Sequence, residues 1–224
     1  MAIIKQKTPL APHYIYAQNL SELNRIQEPE YNIAIHRRQP ISPIVHFTDQ
    51  LLHTSLKSIS LKGSAEELAW KFEKELKAQG LHSKQGYLEF LDDIFKIINA
   101  FGRIIKADTI KLYFAVVNSN MCRLFHTDIN DLRLLCTYRG PGTIWVRNDN
   151  INKKCLNKES NDSLLINPDQ TENTEAFDIT ILKGALHTSN YTMPVFHRSP
   201  SIEETKEQRV LLRLDTGAFL SELS

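Results

Sequence analysis

The sequence lacks the features of membrane proteins and of disulfide-rich proteins. None of its apolar runs reaches the eighteen or so residues that a membrane-spanning helix needs. Its three cysteines, Cys122, Cys136 and Cys155, form no Cys-x-x-Cys pair, which argues against a zinc knuckle or a redox motif. The net charge is only +1, so no bulk field attracts nucleic acid or anionic lipid. The first residues also lack an apolar segment of signal-peptide length, and we expect a cytoplasmic protein with reduced thiols.

Chain length and apolar content predict one compact domain over residues 1–224. With 224 residues and 42% hydrophobic composition, the chain can bury one substantial core. Residues 1–45 contain several prolines and little periodicity, which predicts an extended arm with one short strand at residues 31–36. Helical periodicity then predicts a scaffold at residues 46–108, and the period changes to that of strands over residues 109–216.

Two helices have clear signals in the scaffold. Ser64 and Glu67 form the sequence pattern of a capping box, and the helix that they begin is expected to end at Gly80. A second helix is predicted from about residue 84 to 106, because its apolar residues form one broad stripe. The spacing alone explains these apolar residues as core.

Short strands follow the helices, starting with the alternating pattern from Ile110 to Val116. Residues 147–175 are polar and lack periodicity, which is typical of a functional or disordered loop, and we expect a mobile flap there. Helices followed by strands favour an α+β fold, in which the N-terminal helices buttress a β-sandwich or barrel. A jelly roll is the most economical closure.

A candidate metal site centres on the segment Phe125-His126-Thr127-Asp128. On a strand, His126 and Asp128 face the same way, so their imidazole and carboxylate can meet at one point. A second histidine would complete the set of two histidines and one carboxylate that binds Fe(II) and leaves positions open. His197 is the preferred candidate and His187 its competitor. Taken alone, His126 could be an ordinary strand residue and Asp128 the cap of a turn.

Three further residues are candidates for binding a co-substrate. Arg209 begins a strand-like run twelve residues after His197, where its guanidinium could clamp a carboxylate with two parallel hydrogen bonds. Arg213 shares its strand face and is a second possible partner, unless it pairs with a nearby aspartate. Tyr138 could hydrogen-bond the same carboxylate, or could equally be a core aromatic.

In these motifs the sequence resembles the Fe(II)/2-oxoglutarate-dependent dioxygenases, over roughly residues 110–215. That superfamily carries His-x-Asp, a distal histidine, and an arginine or lysine about a dozen residues later. The Thr137–Thr143 segment of this chain, its His197-Arg198-Ser199-Pro200 segment and its Leu-Leu-Arg-Leu-Asp ending are more closely similar to an uncharacterised bacterial family of unknown function. The resemblance implies a double-stranded β-helix, with Fe(II) held by His126, Asp128 and His197, and 2-oxoglutarate held by Arg209.

The resemblance implies an oxygenase that hydroxylates or demethylates an unknown substrate, with 2-oxoglutarate as its small-molecule co-substrate. Two alternatives remain open at this point. One is a cupin-like metal enzyme that works without 2-oxoglutarate. The other is a jelly-roll module that holds zinc, in which Cys122, Cys136 or His187 would complete a closed site with four ligands.

Overall fold

A computed structural model of the chain describes residues 12–105, 107–156, 160–187 and 193–216. The fold is mixed α/β, and none of the described helices is long and apolar enough to cross a membrane. The strands are β1 (Tyr14–Ala17), β2 (Ile33–His36), β3 (Ile59–Gly63), β4 (Ile110–Val117), β5 (Leu132–Arg139), β6 (Ile144–Trp145), β7 (Glu172–Asn173), β8 (Ile179–Lys183), β9 (His197–Arg198) and β10 (Arg209–Thr216). The α-helices are α1 (Ser42–Leu51), α2 (Ala65–Ala78), α3 (Tyr87–Ile104) and α4 (Asn161–Leu164).

The strands form a large sheet and a small one. The seven-stranded sheet has the order β1-β2-β8-β5-β10-β4-β3, and its neighbours are antiparallel except for the parallel pair β1 and β2. The small antiparallel sheet has the order β7-β6-β9. The last described strand, β10, therefore lies between β5 and β4 near the middle of the large sheet.

The two faces of the large sheet contact different parts of the chain. On one face, Phe114 of β4 packs against Phe72 of α2 and Phe90 of α3, with ring centroids 5.4 and 5.5 Å away. On the other face, Leu135 and Leu211 share an apolar cluster with Trp145 of the small sheet. A cleft between the two sheets follows from this arrangement.

The helix signals in the sequence are confirmed for α2. The Ser64 hydroxyl accepts the Glu67 N–H at 3.2 Å, and the Glu67 carboxylate accepts the Ser64 N–H at 3.1 Å. The second predicted helix is α3, which begins at Tyr87, and Lys106 lies outside the described residues. Helix α1 was missed because no side chain caps its N-terminus, and because the proline of its first turn, where proline is favourable, was counted with the prolines of the expected extended arm.

The N-terminal segment differs from the extended arm that its prolines predicted. Over its described part it contains β1, a 3-10 helix at Leu20–Gln27, β2 and the start of α1. β2 pairs with β1 and β8, so it is a strand of the large sheet. Backbone hydrogen bonds between strands give this segment a regular structure, which its composition alone does not reveal. The division of the chain into an arm, a scaffold and a β core stays a prediction.

The polar segment 147–175 has a small apolar core of its own. Ile151, Leu164 and Leu165 are buried together with Phe125 and Val146. Asn161 adds two hydrogen bonds, accepting the Phe125 N–H at 2.8 Å and donating to the Arg123 carbonyl at 3.0 Å. The segment therefore packs against the chain immediately before His126. Residues 157–159 lie outside the described part, and the predicted mobility of the segment stays a prediction.

Candidate metal centre

Backbone pairing brings the two predicted histidines together. His126 and His197 form an isolated antiparallel bridge, in which each N–H donates to the other's carbonyl at 3.1 and 3.0 Å. Residues directly opposite each other in such a pair share a face. The two rings accordingly lie with their centroids 4.6 Å apart. Asp128 joins them, and one ligand atom from each of the three residues lies within 4.8 Å of the others.

The ring nitrogens of both histidines are oriented by carbonyl groups. Nδ1 of His126 lies 3.0 Å from the Leu124 carbonyl oxygen, and Nδ1 of His197 lies 3.2 Å from that of Val195. A carbonyl only accepts, so each neutral ring carries its hydrogen on Nδ1 and keeps a lone pair on Nε2. These Nε2 atoms lie 3.7 Å and 3.4 Å from the Asp128 carboxylate oxygens. This arrangement of the second ring nitrogen is typical of metal-binding histidines.

Burial and charge in the triad suit a metal ion. Burial lowers the pKa of His197 to about 4, outweighing the opposing effect of Asp128, so this imidazole is neutral near pH 7. Oδ2 of Asp128 is buried and has no hydrogen-bond partner within the described chain. A buried carboxylate oxygen without a partner is costly unless a cation meets it. Two imidazoles and one carboxylate are the donor set of non-haem Fe(II) sites with open positions.

The other oxygen of Asp128 is held by Arg133. Nη1 of Arg133 donates to Asp128 Oδ1, and its Nε donates to Asp215 Oδ1 at 2.6 Å. Asn130 also donates to Asp215 Oδ1, at 3.0 Å. Arg133 therefore holds Oδ1 of Asp128, the oxygen nearer to His126 Nε2, while Oδ2 lies 3.4 Å from Nε2 of His197. The sequence analysis did not single out Arg133. Its position on β5 was nevertheless informative, because neighbouring residues of a strand face opposite sides and Leu134 faces the core.

Arg209 lies in the same cleft as the two histidines, without an anionic partner. It is 2% exposed, and its one hydrogen bond in the described structure runs from Nη2 to Thr137 Oγ1 at 2.9 Å. Nε has no acceptor, and burial lowers the pKa of Arg209 to about 10. The Gly140 turn allows this close packing, because a Cβ at its φ of +82° would lie 2.3 Å from the Gln208 carbonyl oxygen.

Arg213 also lines the cleft but has an acidic neighbour. Its Nε lies 3.0 Å from Asp215 Oδ2, and its guanidinium stacks over the Tyr113 ring at 5.1 Å. Its contact with Asp215 is an ion pair without hydrogen-bond geometry, because Nε has no acceptor within the described chain. The pairing with an aspartate, the plainer of its two predicted roles, is therefore present.

Of the two roles predicted for Tyr138, its position matches that of a core aromatic and not that of a co-substrate ligand. It lies on the helix side of the large sheet, where its hydroxyl donates to Asp93 Oδ2 at 2.7 Å and its ring contacts Phe90 and Phe177. Its parity with Leu134 and Cys136 was predicted, and all three belong to the helix-side core. The buried hydroxyl needs an acceptor, and Asp93 supplies it away from the cleft.

The competing ligands lie apart from the triad. Nδ1 of His187 pairs with Asp131, and His187 is absent from the one group of potential ligands found among the described residues. Cys136 is fully buried on the helix side, and burial raises the pKa of its thiol to about 12. Cys122 lines the cleft and also lies outside that group. The closed four-ligand zinc site therefore finds no support in the described geometry.

Comparison with known proteins identifies a family. Residues 17–215 match the family described as "Protein of unknown function (DUF1826)". This match confirms the resemblance to an uncharacterised family that the sequence motifs indicated. No curated protein matches the chain.

Several solved structures are similar to this fold at low sequence identity. Dioxygenase for auxin oxidation 1 from Arabidopsis thaliana, in a complex with 2-oxoglutarate, is 12% identical, with 92% of each chain covered and a TM-score of 0.48. A full-length protein from Neurospora crassa, in a complex with alpha-KG and thymine, is 10% identical, with 94% of this chain and 87% of that chain covered and a TM-score of 0.44. A prolyl-4-hydroxylase from Pseudomonas putida is 9% identical, with 94% and 96% covered and a TM-score of 0.41. These TM-scores lie below 0.5, so the similarity carries no conclusion about a reaction.

Proposed function

The chain belongs to the DUF1826 family of proteins of unknown function, and we propose that it is an Fe(II)- and 2-oxoglutarate-dependent oxygenase. The observation that carries this proposal is a buried acceptor beside a cleft and a buried cation that lines it, neither of which has its partner among the residues that the structure describes. Oδ2 of Asp128 is a buried acceptor without a donor, and Arg209 is a buried cation without an anion, within the described chain. A metal ion would meet the first and a dicarboxylate the second.

Five residues at the cleft have a role in this proposal. His126 and His197 hold Fe(II) through Nε2, and Asp128 holds it through Oδ2. When bound, Fe(II) and 2-oxoglutarate would activate dioxygen, with one oxygen atom entering the succinate that forms as the co-substrate loses carbon dioxide and the other entering a C–H bond of the substrate. Arg209 binds the far carboxylate of 2-oxoglutarate, and the Thr137 hydroxyl holds its guanidinium in position. Hydroxylation, or a demethylation that follows it, is the expected outcome.

The strands of residues 109–216 fit this role as the two halves of a double-stranded β-helix, the jelly-roll form that we propose for them, and β1, β2 and β3 extend the larger half. In this proposal the helices buttress the outer face of the large sheet, and the segment 147–175 lies at the mouth. The cleft of this structure has a volume of about 50 Å³. A cavity that binds benzene measures roughly 150 Å³. Binding of 2-oxoglutarate therefore requires the cleft to widen.

Anaerobic reconstitution tests the proposal directly. Protein purified without metal would receive Fe(II), then 2-oxoglutarate, while visible absorption is recorded for the charge-transfer band of a chelated keto acid. Exposure to dioxygen should then release succinate, even without a substrate. An Asp128→Asn variant should show neither signal, whereas Asp131→Asn serves as the matched control because Asp131 pairs with His187 outside the triad.

Two other results would point to the alternatives. Fe(II) binding with no spectral response to 2-oxoglutarate would favour a metal enzyme of another type. Tight zinc binding that Fe(II) cannot replace, with no succinate formed, would favour a metal-holding module.

A further inference from the structure

A basic patch lies on the cleft face of the large sheet, made of Lys62, Lys111, Arg133 and Arg213. Strand register places three of these cations in one row, since Lys62 is opposite Lys111, Lys111 is opposite Asp215, and Asp215 is opposite Arg133. Residues opposite one another on adjacent strands share a face. The row crosses β3, β4, β10 and β5, and at about 4.8 Å between strands it is roughly 14 Å long.

The basic patch is continuous with the metal centre. Arg133 donates to the triad carboxylate of Asp128, and Arg213 lines the cleft together with His126 and His197. Arg209 lies on the same strand face, four residues before Arg213. At about 3.3 Å per residue, the two arginines are roughly 13 Å apart along the strand. A co-substrate held by Arg209 therefore leaves the patch free.

The positive charge of the patch exceeds the acidic charge beside it. Its four cations adjoin two carboxylates, Asp128 and Asp215, and Arg133 contacts both. Lys62 and Lys111 form no ion pair with any residue that the structure describes, although like charges placed directly opposite destabilise a strand pair. A bound divalent metal ion and the dianion of 2-oxoglutarate would cancel each other, so this excess would persist in the loaded protein.

Arg213 supplies the hydrogen-bond donors for an anion at the patch. Its side chain is 23% exposed, and among described residues none accepts a hydrogen bond from it, although Asp215 lies 3.0 Å away. The Tyr113 ring beneath holds the planar guanidinium against the sheet. Free N–H groups at the mouth of a cleft are suited to a carboxylate or a phosphate.

We infer that the substrate of this site carries an anionic group, a carboxylate or a phosphate, that binds to Arg213 and Lys111. The inference rests on the proposed oxygenase function, because it assigns the patch to the substrate that is oxidised at the triad. Arg209 holds the co-substrate on one side, and the patch orients the substrate on the other. The length of the row fits a small acid better than a macromolecule.

Titration with small anions tests the inference. Calorimetry would measure the binding of inorganic phosphate, and separately of acetate, to protein loaded with Mn(II) and saturated with 2-oxoglutarate, so that Arg209 is already occupied. Lys111→Gln and Arg213→Gln should each weaken binding of the preferred anion by about tenfold or more, as expected for a lost charge-assisted contact. Lys74→Gln is the matched control, because Lys74 is exposed on α2, on the other side of the sheet.

The outcomes separate the patch from the reaction. A stronger effect on phosphate would identify a phosphate-bearing substrate, and a stronger effect on acetate a carboxylic acid. Unchanged anion binding in both patch variants, or no binding of either anion to the parent, would overturn the inference while the oxygenase assignment stands on its own test. If Mn(II) and 2-oxoglutarate fail to bind, the proposed oxygenase function is refuted. The same titration without them then decides whether the patch binds anions. An Arg213→Gln protein that loses 2-oxoglutarate instead would also overturn the assignment.

Discussion

Replacing Arg209 with methionine should make the protein without ligand more stable and its binding of 2-oxoglutarate weaker. Methionine is unbranched and flexible, so it fills most of the space of the arginine stem without leaving a large cavity. The two opposite effects have one cause, since the guanidinium is buried without an anionic partner within the described chain. If the Arg209 side chain stabilised the fold, replacing it would make the protein less stable.

The magnitude for the free protein follows from the pKa of Arg209. Burial lowers this pKa from the ordinary value of arginine to about 10, which corresponds to a cost of about 3 kcal/mol while the group is charged. The folded-state pKa is the lower one, so above about pH 10 the unfolded chain binds more protons, and the parent gains stability as the pH rises beyond that value. Below about pH 10 the full cost applies. The variant also loses the hydrogen bond to Thr137, about 1 kcal/mol, which leaves a net gain of about 2 kcal/mol near pH 7.

The magnitude for the co-substrate follows from the lost clamp. A charge-assisted contact of about 2–3 kcal/mol corresponds to a thirtyfold to hundredfold rise in the dissociation constant. At a hundred times the parent's dissociation constant, 2-oxoglutarate should stabilise the parent by about 2.7 kcal/mol and the variant by less than about 1 kcal/mol. The variant's advantage of about 2 kcal/mol should therefore nearly vanish when 2-oxoglutarate is added.

Urea denaturation of Mn(II)-loaded protein, with and without 2-oxoglutarate, would measure both effects, and Mn(II) affinity should stay unchanged. Arg213→Met is the control, because Arg213 lines the same cleft but lies beside Asp215 and is partly exposed. It should leave 2-oxoglutarate binding as in the parent. A methionine variant at position 209 that is less stable by more than about 1 kcal/mol and binds 2-oxoglutarate normally would refute the reasoning.

Three further outcomes are expected. Asp128→Asn should weaken Mn(II) binding at least a hundredfold by titration, because it removes the one anionic ligand of the triad, whereas an equal loss in Asp131→Asn would point to general unfolding. Tyr138→Phe should cost about 1.5–3 kcal/mol in urea denaturation, through the lost hydrogen bond to Asp93, with 2-oxoglutarate affinity unchanged; a weaker affinity would return Tyr138 to the co-substrate site. Limited proteolysis should cut first within residues 147–175, and more slowly once Mn(II) and 2-oxoglutarate are bound; complete resistance of that segment would contradict the flap.

The candidate metal ligands could be proposed from the sequence because the His-x-Asp spacing is local and the order of motifs favoured His197 over His187. The strand expected for His126 and Asp128 is reduced to an isolated bridge at His126, yet the two side chains still meet. The capping box at Ser64 is local in the same way. Such features depend on spacings of a few residues, which can be counted along the chain.

The hydrogen bonds of Arg133, which hold Asp128, could not be predicted, because they depend on the register between strands that are distant in the sequence. Arg133 meets Asp215 only because β5 pairs with β10 in one particular register. A shift by one residue would turn every side chain of either strand to the other face. Tyr138 shows the same limit, since parity grouped it correctly with its neighbours, but only the packing of the helices decides which face is the core.

The order of motifs favoured Arg209 over Arg213 as the proposed clamp, and the structure adds a physical difference between the two. Both lie on one face of β10, and strand parity treats them alike. Their surroundings differ in burial and in charge. Arg209 is almost fully buried with only a hydroxyl as partner, while Arg213 is partly exposed beside a carboxylate. A buried cation without a partner destabilises the free protein, and a bound anion would offset that cost. The proposed anion therefore fits the buried Arg209 better than Arg213. The exposed one, already close to an acid, is suited to a weaker and exchangeable partner at the cleft mouth.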